Sequence, residues 1–557
     1  MLKRRFDEES LDFPQPKRTH IILSSDTVSF IVPKSLTSFF RVSRRFHALA
    51  GDSELWKRKY YSRWVGPRAR RIANVRRIKA LASKAEYSPQ VSKWLGHAHL
   101  ADEGRMTNWK KQYRLRHNWS KGTCRVTEVE FPQPVRPPLL AEFCAGFIFT
   151  VDAEFGIRCR LASNPSSCVA GLPLSDSGSK TSMNPTALAV TCSVLQNMVQ
   201  IAVGFENGDF SVYDMDITTS RLKLRLSHAG SADGGIIAMA SSIPYVLMVS
   251  QQKVLSLYEI GSSAELANPG KLDGPNSSTM ESAAGVHLVV SLKADSILSP
   301  ISLSIRVAGL GIIASIVYSF LHIGCGWSLG IQELHFNENG QQVRSRLATT
   351  VDSQYGAILL PKRGHGPAPF TESMGDELYE RSAEPSISHH EPPTSISYSH
   401  PYLLTSHADN TLTVYLVVST GARLYVHGGQ RLWGHTSSVS AVQVSDRGKA
   451  ISVSSHGGEI RVWELETLIM SIGSSRALLA ENSIQISPEN KPWRKHRRFS
   501  PSKNIPSCGL DQSRVSSAEM SQGLGRMRGC IGFDDERVLL LWEKDVGTQL
   551  LELYDFT

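Results

Sequence analysis

Residues 434–464 read GHTSSVSAVQVSDRGKAISVSSHGGEIRVWE, and no other stretch limits the fold as tightly. A Gly434-His435 pair opens it. Two runs of alternating apolar residues follow, then a Ser-rich turn, then a closing Trp463-Glu464 pair. The period of two marks half-buried strands, and the whole makes one blade of a β-propeller. A lone blade cannot bury both of its faces, so one copy implies several. Propellers of this kind mostly hold partners rather than transform them.

The blade pattern recurs. Strand runs carry an aromatic near their end: Tyr213 in NGDFSVYDMD, Tyr258 in KVLSLYEI, Tyr415 in DNTLTVYLV, Trp463, and Tyr554 in LLELYDFT. Tyr213 and Tyr258 are 45 residues apart, and Tyr415 and Trp463 are 48 apart. Blades of this class span roughly 40–45 residues, so these spacings fit one blade each with small insertions. Residues 139–161 read as a first blade and 284–340 as a degenerate one; 345–427 has room for one or two more. Seven blades fit best, with six and eight the neighbouring counts. TCRVTEVEF (123–131) alternates with period two and is placed to join the final blade, closing the ring with both chain ends and leaving no open sheet edge. Two insertions, 361–394 and 481–525, hold too little apolar surface to offset their ordering entropy and are expected to be disordered.

The front of the chain differs. Residues 1–120 hold 26 Lys and Arg against 10 Asp and Glu, a charge of +16. The whole chain is +10, so residues 121–557 sum to −6. Such asymmetry points to two regions with different work. Residues 1–19 read as a disordered basic tail, 20–65 as a helical domain, 66–122 as a basic helical linker and 123–557 as the propeller. Within 34–50, Leu36, Phe39, Phe40, Val42, Phe46 and Leu49 recur at helical spacing. Gly51-Asp52-Ser53 breaks that helix, and Asp52 or Ser53 caps a second over 54–64 that offers Leu55, Trp56, Tyr60 and Tyr61 to a core. A third helix is predicted over 106–119.

Several function classes find no support. The eight cysteines are scattered with no CxxC pair, so no metal is expected and a reducing compartment fits. There is no GxSxG, P-loop, HExxH or EF-hand pattern; neither catalysis nor a cofactor is expected. His389-His390-Glu391 is read as a flexible polar loop. MLKRRFDEES is no secretory signal, and Lys3-Arg4-Arg5 with Lys17-Arg18 has the spacing of a bipartite nuclear import signal. The expected location is the cytoplasm, the nucleus or both. Residues 307–332 carry no charge, but glycines cut them into short β-branched runs, which favours buried propeller strands over a membrane span.

The segment PKSLTSFFRVSRRFHALAGDSELWKRKY (33–60) resembles an F-box, through Leu36, Val42-Ser43-Arg44-Arg45-Phe46, Leu49-Ala50 and Leu55-Trp56-Lys57. NWKKQYRLRHNWSKGTCRV (108–126) resembles the linker that joins F-box to propeller in the F-box/WD-repeat family, with Trp109, Tyr113, Asn118-Trp119 and Gly122 at the matching places. The chain is thus similar to the F-box substrate receptors of SCF-type ubiquitin ligases. The resemblance implies a mainly β fold: a three-helix F-box-like unit, a helical linker and a WD-repeat propeller. It also implies a non-catalytic subunit that binds a Skp-family adaptor, and through it a cullin-RING ligase, while the propeller binds a target protein. Leu36, Phe40, Val42, Phe46, Leu49 and Trp56 are the adaptor-facing candidates. A WD-repeat scaffold with a decayed F-box is one alternative; a basic nuclear factor acting on nucleic acid through residues 57–121 is another, disfavoured because a spacer role suits helix 106–119 better.

The chain departs from the family pattern in two places. HIILSSDTVSFIVPKSL (20–36) lacks the Leu-Pro that opens the first F-box helix. In the family a buried His, Ser or Thr, Asp and Trp share hydrogen bonds; His435, Ser455 and Trp463 are assigned those places here, and Gly457 stands where the Asp belongs. Ser440 and His456 occupy positions at which phosphate-reading relatives place Arg, leaving Arg423, Arg431 or Arg461 as the remaining candidates for an anion.

Overall fold

The structure is a computed structural model. It describes residues 52–66, 108–132, 139–174, 183–193, 197–230, 233–261, 285–293, 297–308, 311–337, 340–355, 385–455, 459–465, 483–488, 527–545 and 548–557. The chain divides into two compact units, one ending at Lys121 and one running from Gly122 to Phe556.

The first unit contains helix α1 (Ser53–Tyr60), a π-helical turn (Tyr61–Val65) and helix α2 (Trp109–Lys121). Asp52 caps α1: its side chain accepts from the Glu54 amide at 3.0 Å, satisfying one of the free N–H groups of the first turn. Asn108 does the same for Lys111 at the start of α2. The expected helix over 34–50 and the basic stretch 67–93 lie outside the described residues.

The second unit is a seven-bladed propeller: six sheets of four antiparallel strands, and a seventh of four to which the two-residue strand Ser487–Pro488 adds in parallel beside Thr123–Pro132. Blade 1 spans 140–172, blade 2 185–228, blade 3 236–293, blade 4 298–349, blade 5 395–432 and blade 6 439–485. Blade 7 takes three strands from 527–555, and its outer strand is Thr123–Pro132. That strand runs antiparallel to Thr548–Asp555, from Arg125 opposite Asp555 to Pro132 opposite Thr548. The two ends of the unit therefore close the ring, as the alternation of TCRVTEVEF implies. Gly122 makes the entry possible. Its φ is +67°, and a Cβ there would sit 2.1 Å from the Gln485 carbonyl oxygen, a contact only glycine avoids.

Apolar side chains pack between neighbouring blades. Phe147, Phe149, Val151 and Ile157 of blade 1 meet Val199, Ile201, Val203 and Phe205 of blade 2. Similar clusters fill the seams that follow, and Ile148 packs with Leu539 and Leu551 where blade 7 meets blade 1. Truncating one such side chain, as in Ile201→Ala, is worth about 2–5 kcal/mol.

Two expectations are corrected and one is narrowed. Residues 284–340 are not one blade: Val286–Lys293 is the outer strand of blade 3, and Leu298–Ala308, Gly311–His322 and Gly326–Phe336 begin blade 4. The uncharged 307–332 stretch supplies those long strands, with Ile312 to Val317 buried; among the described residues no helix is long and apolar enough to cross a membrane. The window 345–427 holds one blade, begun by Ser395–Ser399. Parts of both predicted insertions are built into the propeller. Residues 385–394 pack against blade 5, and Ser483–Gln485 is the outer strand of blade 6, where the alternation of SIQIS buries Ile486. Residues 361–384 and 489–525 lie outside the described set.

Polar groups hold one seam. Glu333 in the third strand of blade 4 is fully buried. It accepts from Arg306 at 2.9 Å and from the Ser419 hydroxyl of blade 5 at 2.7 Å. His335 is 3.2 Å away and Arg346 3.5 Å. Arg346 also donates to the Thr420 carbonyl at 2.6 Å. Burial alone would raise the Glu333 carboxyl, but the Ser419 hydroxyl and Arg306 outweigh it and hold it below the usual carboxylate range.

Candidate functional site

Among the adaptor-facing candidates, Trp56 is described and Leu36, Phe40, Val42, Phe46 and Leu49 lie outside the described residues. Positions 56, 60 and 64 share one face of α1 and the turn that follows. Trp56 is 5% exposed and meets Tyr113 of α2 edge-on, ring centroids 5.1 Å apart. Trp64 lies 4.8 Å from the same ring, and Tyr60 lies 5.6 Å from Trp109. Arg63 donates to the Tyr113 hydroxyl at 2.9 Å and stacks over Trp64. The aromatic rings of α1 and α2 thus face each other. Trp56 works inside this unit, and Tyr113 is buried rather than offered to a base.

In blade 6, His435 precedes the inner strand, Ser452 lies on the second and Trp463 on the third. Ser452 sits opposite Arg461, and Ala450 opposite Trp463, so Ser452 and Trp463 share a face. Trp463 Nε1 donates to Ser452 Oγ at 2.7 Å, and His435 Nε2 is 2.6 Å from the same oxygen. Indole can only donate, which leaves the serine its own proton to give to His435 Nε2. A neutral ring then carries its proton on Nδ1, 3.3 Å from the Glu459 carboxylate. Burial pushes His435 down to about 4 against the pull of Glu459, so it is neutral near pH 7.

Two sequence assignments change here. The bridging hydroxyl belongs to Ser452, not Ser455. Ser455 lies past the end of the second strand (Lys449–Ser454), and its hydroxyl pairs with that of Ser438 across the turn. The carboxylate missing at Gly457, itself outside the described residues, comes from Glu459, which also accepts from the Thr436 amide at 2.8 Å. Residue spacing could have found Ser452: on a strand, only an even offset from Ala450 returns to the face of Trp463.

Blade 5 buries a different pair of histidines. His389 is buried and stacks on His407, ring centroids 3.8 Å apart and nearly parallel. His407 Nε2 lies 2.9 Å from the Thr405 hydroxyl, and Tyr415, opposite Leu403, holds the strand position that Trp463, opposite Ala450, has in blade 6. The flexible-loop reading of His389 fails, because its carbonyl accepts from the Trp327 amide at 2.8 Å and docks the segment on blade 4.

The arginines left as anion candidates do not converge. Arg431 donates to the Ser388 carbonyl at 2.9 Å and lies over the exposed ring of Trp433. Arg461 donates to Ser483 at 3.0 Å. Arg423 sits in the turn between the third and outer strands of blade 5, at the other end of the outer strand from Arg431. Among the described residues no group of three His, Cys, Asp or Glu side chains is placed to hold a metal ion.

A protein-family model described as the β-propeller of F-box protein pof12 matches residues 124–557, more than three quarters of the chain. The chain belongs to this family. F-box protein pof12 of Schizosaccharomyces pombe is 34% identical to it over 93 residues, 16% of this chain and 21% of the relative. The match thus spans about a fifth of that curated relative's length. Among solved structures, the WD40 β-propeller domain of Doa1 aligns over 77% of this chain and 95% of its own at 7% identity, TM-score 0.33. Chaetomium thermophilum Sqt1, solved with the N-terminus of ribosomal protein L10, aligns over 74% of this chain and 82% of its own at 14% identity, TM-score 0.36. In this pof12-type propeller the His435–Ser452–Trp463 cluster is structural: all three side chains are buried and face one another.

Proposed function

We propose that this protein is the substrate-recognition subunit of a cullin-based, SCF-type ubiquitin ligase. The F-box-like segment 33–60 recruits a Skp-family adaptor, and through it a cullin-RING ligase, while the propeller binds the target protein. The observation that carries this reading is the match to an F-box protein family across 124–557, directly after the VSRRF…LA…LW order of residues 42–56. On this reading the chain performs no covalent chemistry; it raises the target's effective concentration at the ligase. It works in the cytoplasm, the nucleus or both; alanines at Lys3-Arg4-Arg5 and Lys17-Arg18 should shift a fluorescent fusion out of the nucleus if import matters.

The decisive experiment is binding of the purified full chain to a Skp-family adaptor, with Val42→Asp and Phe46→Asp beside wild type. Salt-resistant binding that both variants lose supports the proposal. Failure of the well-folded wild type to bind would sink it and leave a WD-repeat scaffold. Steeply salt-dependent binding to RNA or DNA would instead favour the nucleic-acid alternative. Trp56→Ala is unsuited as the sole probe, because loss of its packing on Tyr113 costs about 3–5 kcal/mol of fold stability.

A further inference from the structure

A blade ends on an outer strand whose alternate residues turn their N–H and C=O groups away from the sheet, a template on which another chain can pair. In six of the seven blades something blunts that edge. The outer strand of blade 1 holds Pro165, and its pairing with the third strand slips twice. The pairing also slips within the outer strands of blades 2, 3 and 5, which bends the edge. In blade 6 the strand is three residues long. In blade 7 it exposes Arg125, Glu128 and Glu130 and is met by Ser487–Pro488.

Blade 4 lacks these devices. Its outer strand, Gln342–Thr349, slips only at its start, and Arg344 to Thr349 then pair without interruption with His335 to Gly330. Leu347 is 59% exposed, and Ser345, two residues before it and on the same face, is exposed as well. Val343, at the slip, is 66% exposed. The arginines do not guard this face. They lie on the other one, where Arg346 meets Glu333 and the Thr420 carbonyl, and Arg344 donates to the Gly421 carbonyl of blade 5. Among the described residues no carboxylate pairs with Arg344, and no strand pairs with this outer edge.

We propose that the outer edge of blade 4 is a docking site for an extended segment of a partner protein, which adds to the sheet as a fifth strand. Backbone hydrogen bonds to Arg344–Thr349 hold it, and its side chains give specificity. Residues directly opposite each other on paired strands share a face. The segment therefore sets apolar side chains opposite Ser345 and Leu347 and an acidic one opposite Arg344, an alternating apolar–acidic sequence. A basic residue opposite Arg344 would place like charges side by side. The site lies within the propeller and does not depend on the ligase reading.

The probe is a fluorescent, end-capped heptapeptide alternating valine and glutamate, titrated with the full chain and followed by anisotropy. Saturable binding is expected, with amide-exchange protection gained at residues 342–349 and not in the outer strand of blade 2. Two control peptides separate backbone pairing from charge: one has proline at its centre and cannot complete the ladder, and one alternates valine and lysine. Each should bind about tenfold more weakly, the worth of two or three cross-strand pairs. Leu347→Lys changes an exposed side chain, so it should fold normally and lose binding. Arg344→Glu should reverse the preference in favour of the valine–lysine peptide. No binding by the wild type, equal binding of the proline peptide, unchanged binding by folded Leu347→Lys, or protection confined to other strands would overturn the proposal. So would a concentration-dependent dimer in sedimentation that Leu347→Lys abolishes, because it assigns the edge to a second copy of this chain.

Discussion

Blade 6 and the seam between blades 4 and 5 solve the same problem with different chemistry. Each must bury polar groups near the middle of a sheet and supply them with partners. Blade 6 bridges an indole and an uncharged imidazole through one hydroxyl, with the Glu459 carboxylate 3.3 Å from the far side of the imidazole, all within one blade. The seam uses ions: Glu333, Arg306 and Arg346 of blade 4, clasped to Ser419 and Thr420 of blade 5. A neutral bridge has little desolvation to overcome and adds modest stability. A buried ion cluster balances large opposing terms, so removing one member leaves an uncompensated charge. The first arrangement orders a blade, and the second ties two blades together.

Acid should strain both regions and show the largest effect. Burial holds His435 at about 4, His400 at about 4, His407 at about 4 and His389 at about 3. All four lie below the ordinary histidine value of about 6.5. The unfolded chain therefore takes up protons first, and stability falls as pH drops from about 6.5 toward about 4. By pH 5 the loss is on the order of 1–2 kcal/mol per histidine. Three of the four lie in or against blade 5, so amide exchange should rise there before it rises in blade 6. A melting temperature equal at pH 7.5 and pH 5 would refute the neutral-histidine account.

The next largest effect separates the two regions. Glu333→Ala leaves Arg306 and Arg346 buried without their carboxylate and should cost about 3–5 kcal/mol. Glu333→Gln retains the Ser419 hydrogen bond but not the charge and should recover only part of that. Chemical denaturation of both variants is the check. If Glu333→Ala costs no more than an exposed substitution, the seam is not held by ions.

The two regions were also unequally legible in the sequence. Blade 6 could be read because its determinants lie close together in order, from Gly434 to Glu464. The third strands could be read for the same reason: Tyr213, Tyr258, Tyr415, Trp463 and Tyr554 all lie on them and are buried. The ring closure followed from alternation in 123–131. The seam was invisible because Arg306, Glu333, Arg346 and Ser419 are far apart in the chain and meet only through the sheets. Blade 1 was cut short because its third strand carries Cys159 opposite Phe149, putting the ring on the neighbouring strand where the aromatic pattern does not look.

The smallest effects give the sharpest test of how blade 6 is wired. Ser452 and Ser455 are three residues apart, and sequence alone favoured the second. Ser452→Ala removes the acceptor of Trp463 Nε1 and the partner of His435 Nε2 at once, stranding two buried nitrogens, and should cost about 1–3 kcal/mol. The alanine fits, since it only deletes an oxygen. Ser455→Ala removes one side of a hydroxyl pair with Ser438 at a half-buried turn, where water can replace it. Its cost should be no more than about 0.5–1 kcal/mol. The double variant Ser452→Ala with His435→Phe should cost less than the sum of the two singles, because a bond already broken cannot be lost twice. Thermal denaturation of these four proteins decides the wiring: a larger loss for Ser455→Ala than for Ser452→Ala would restore the assignment read from spacing alone.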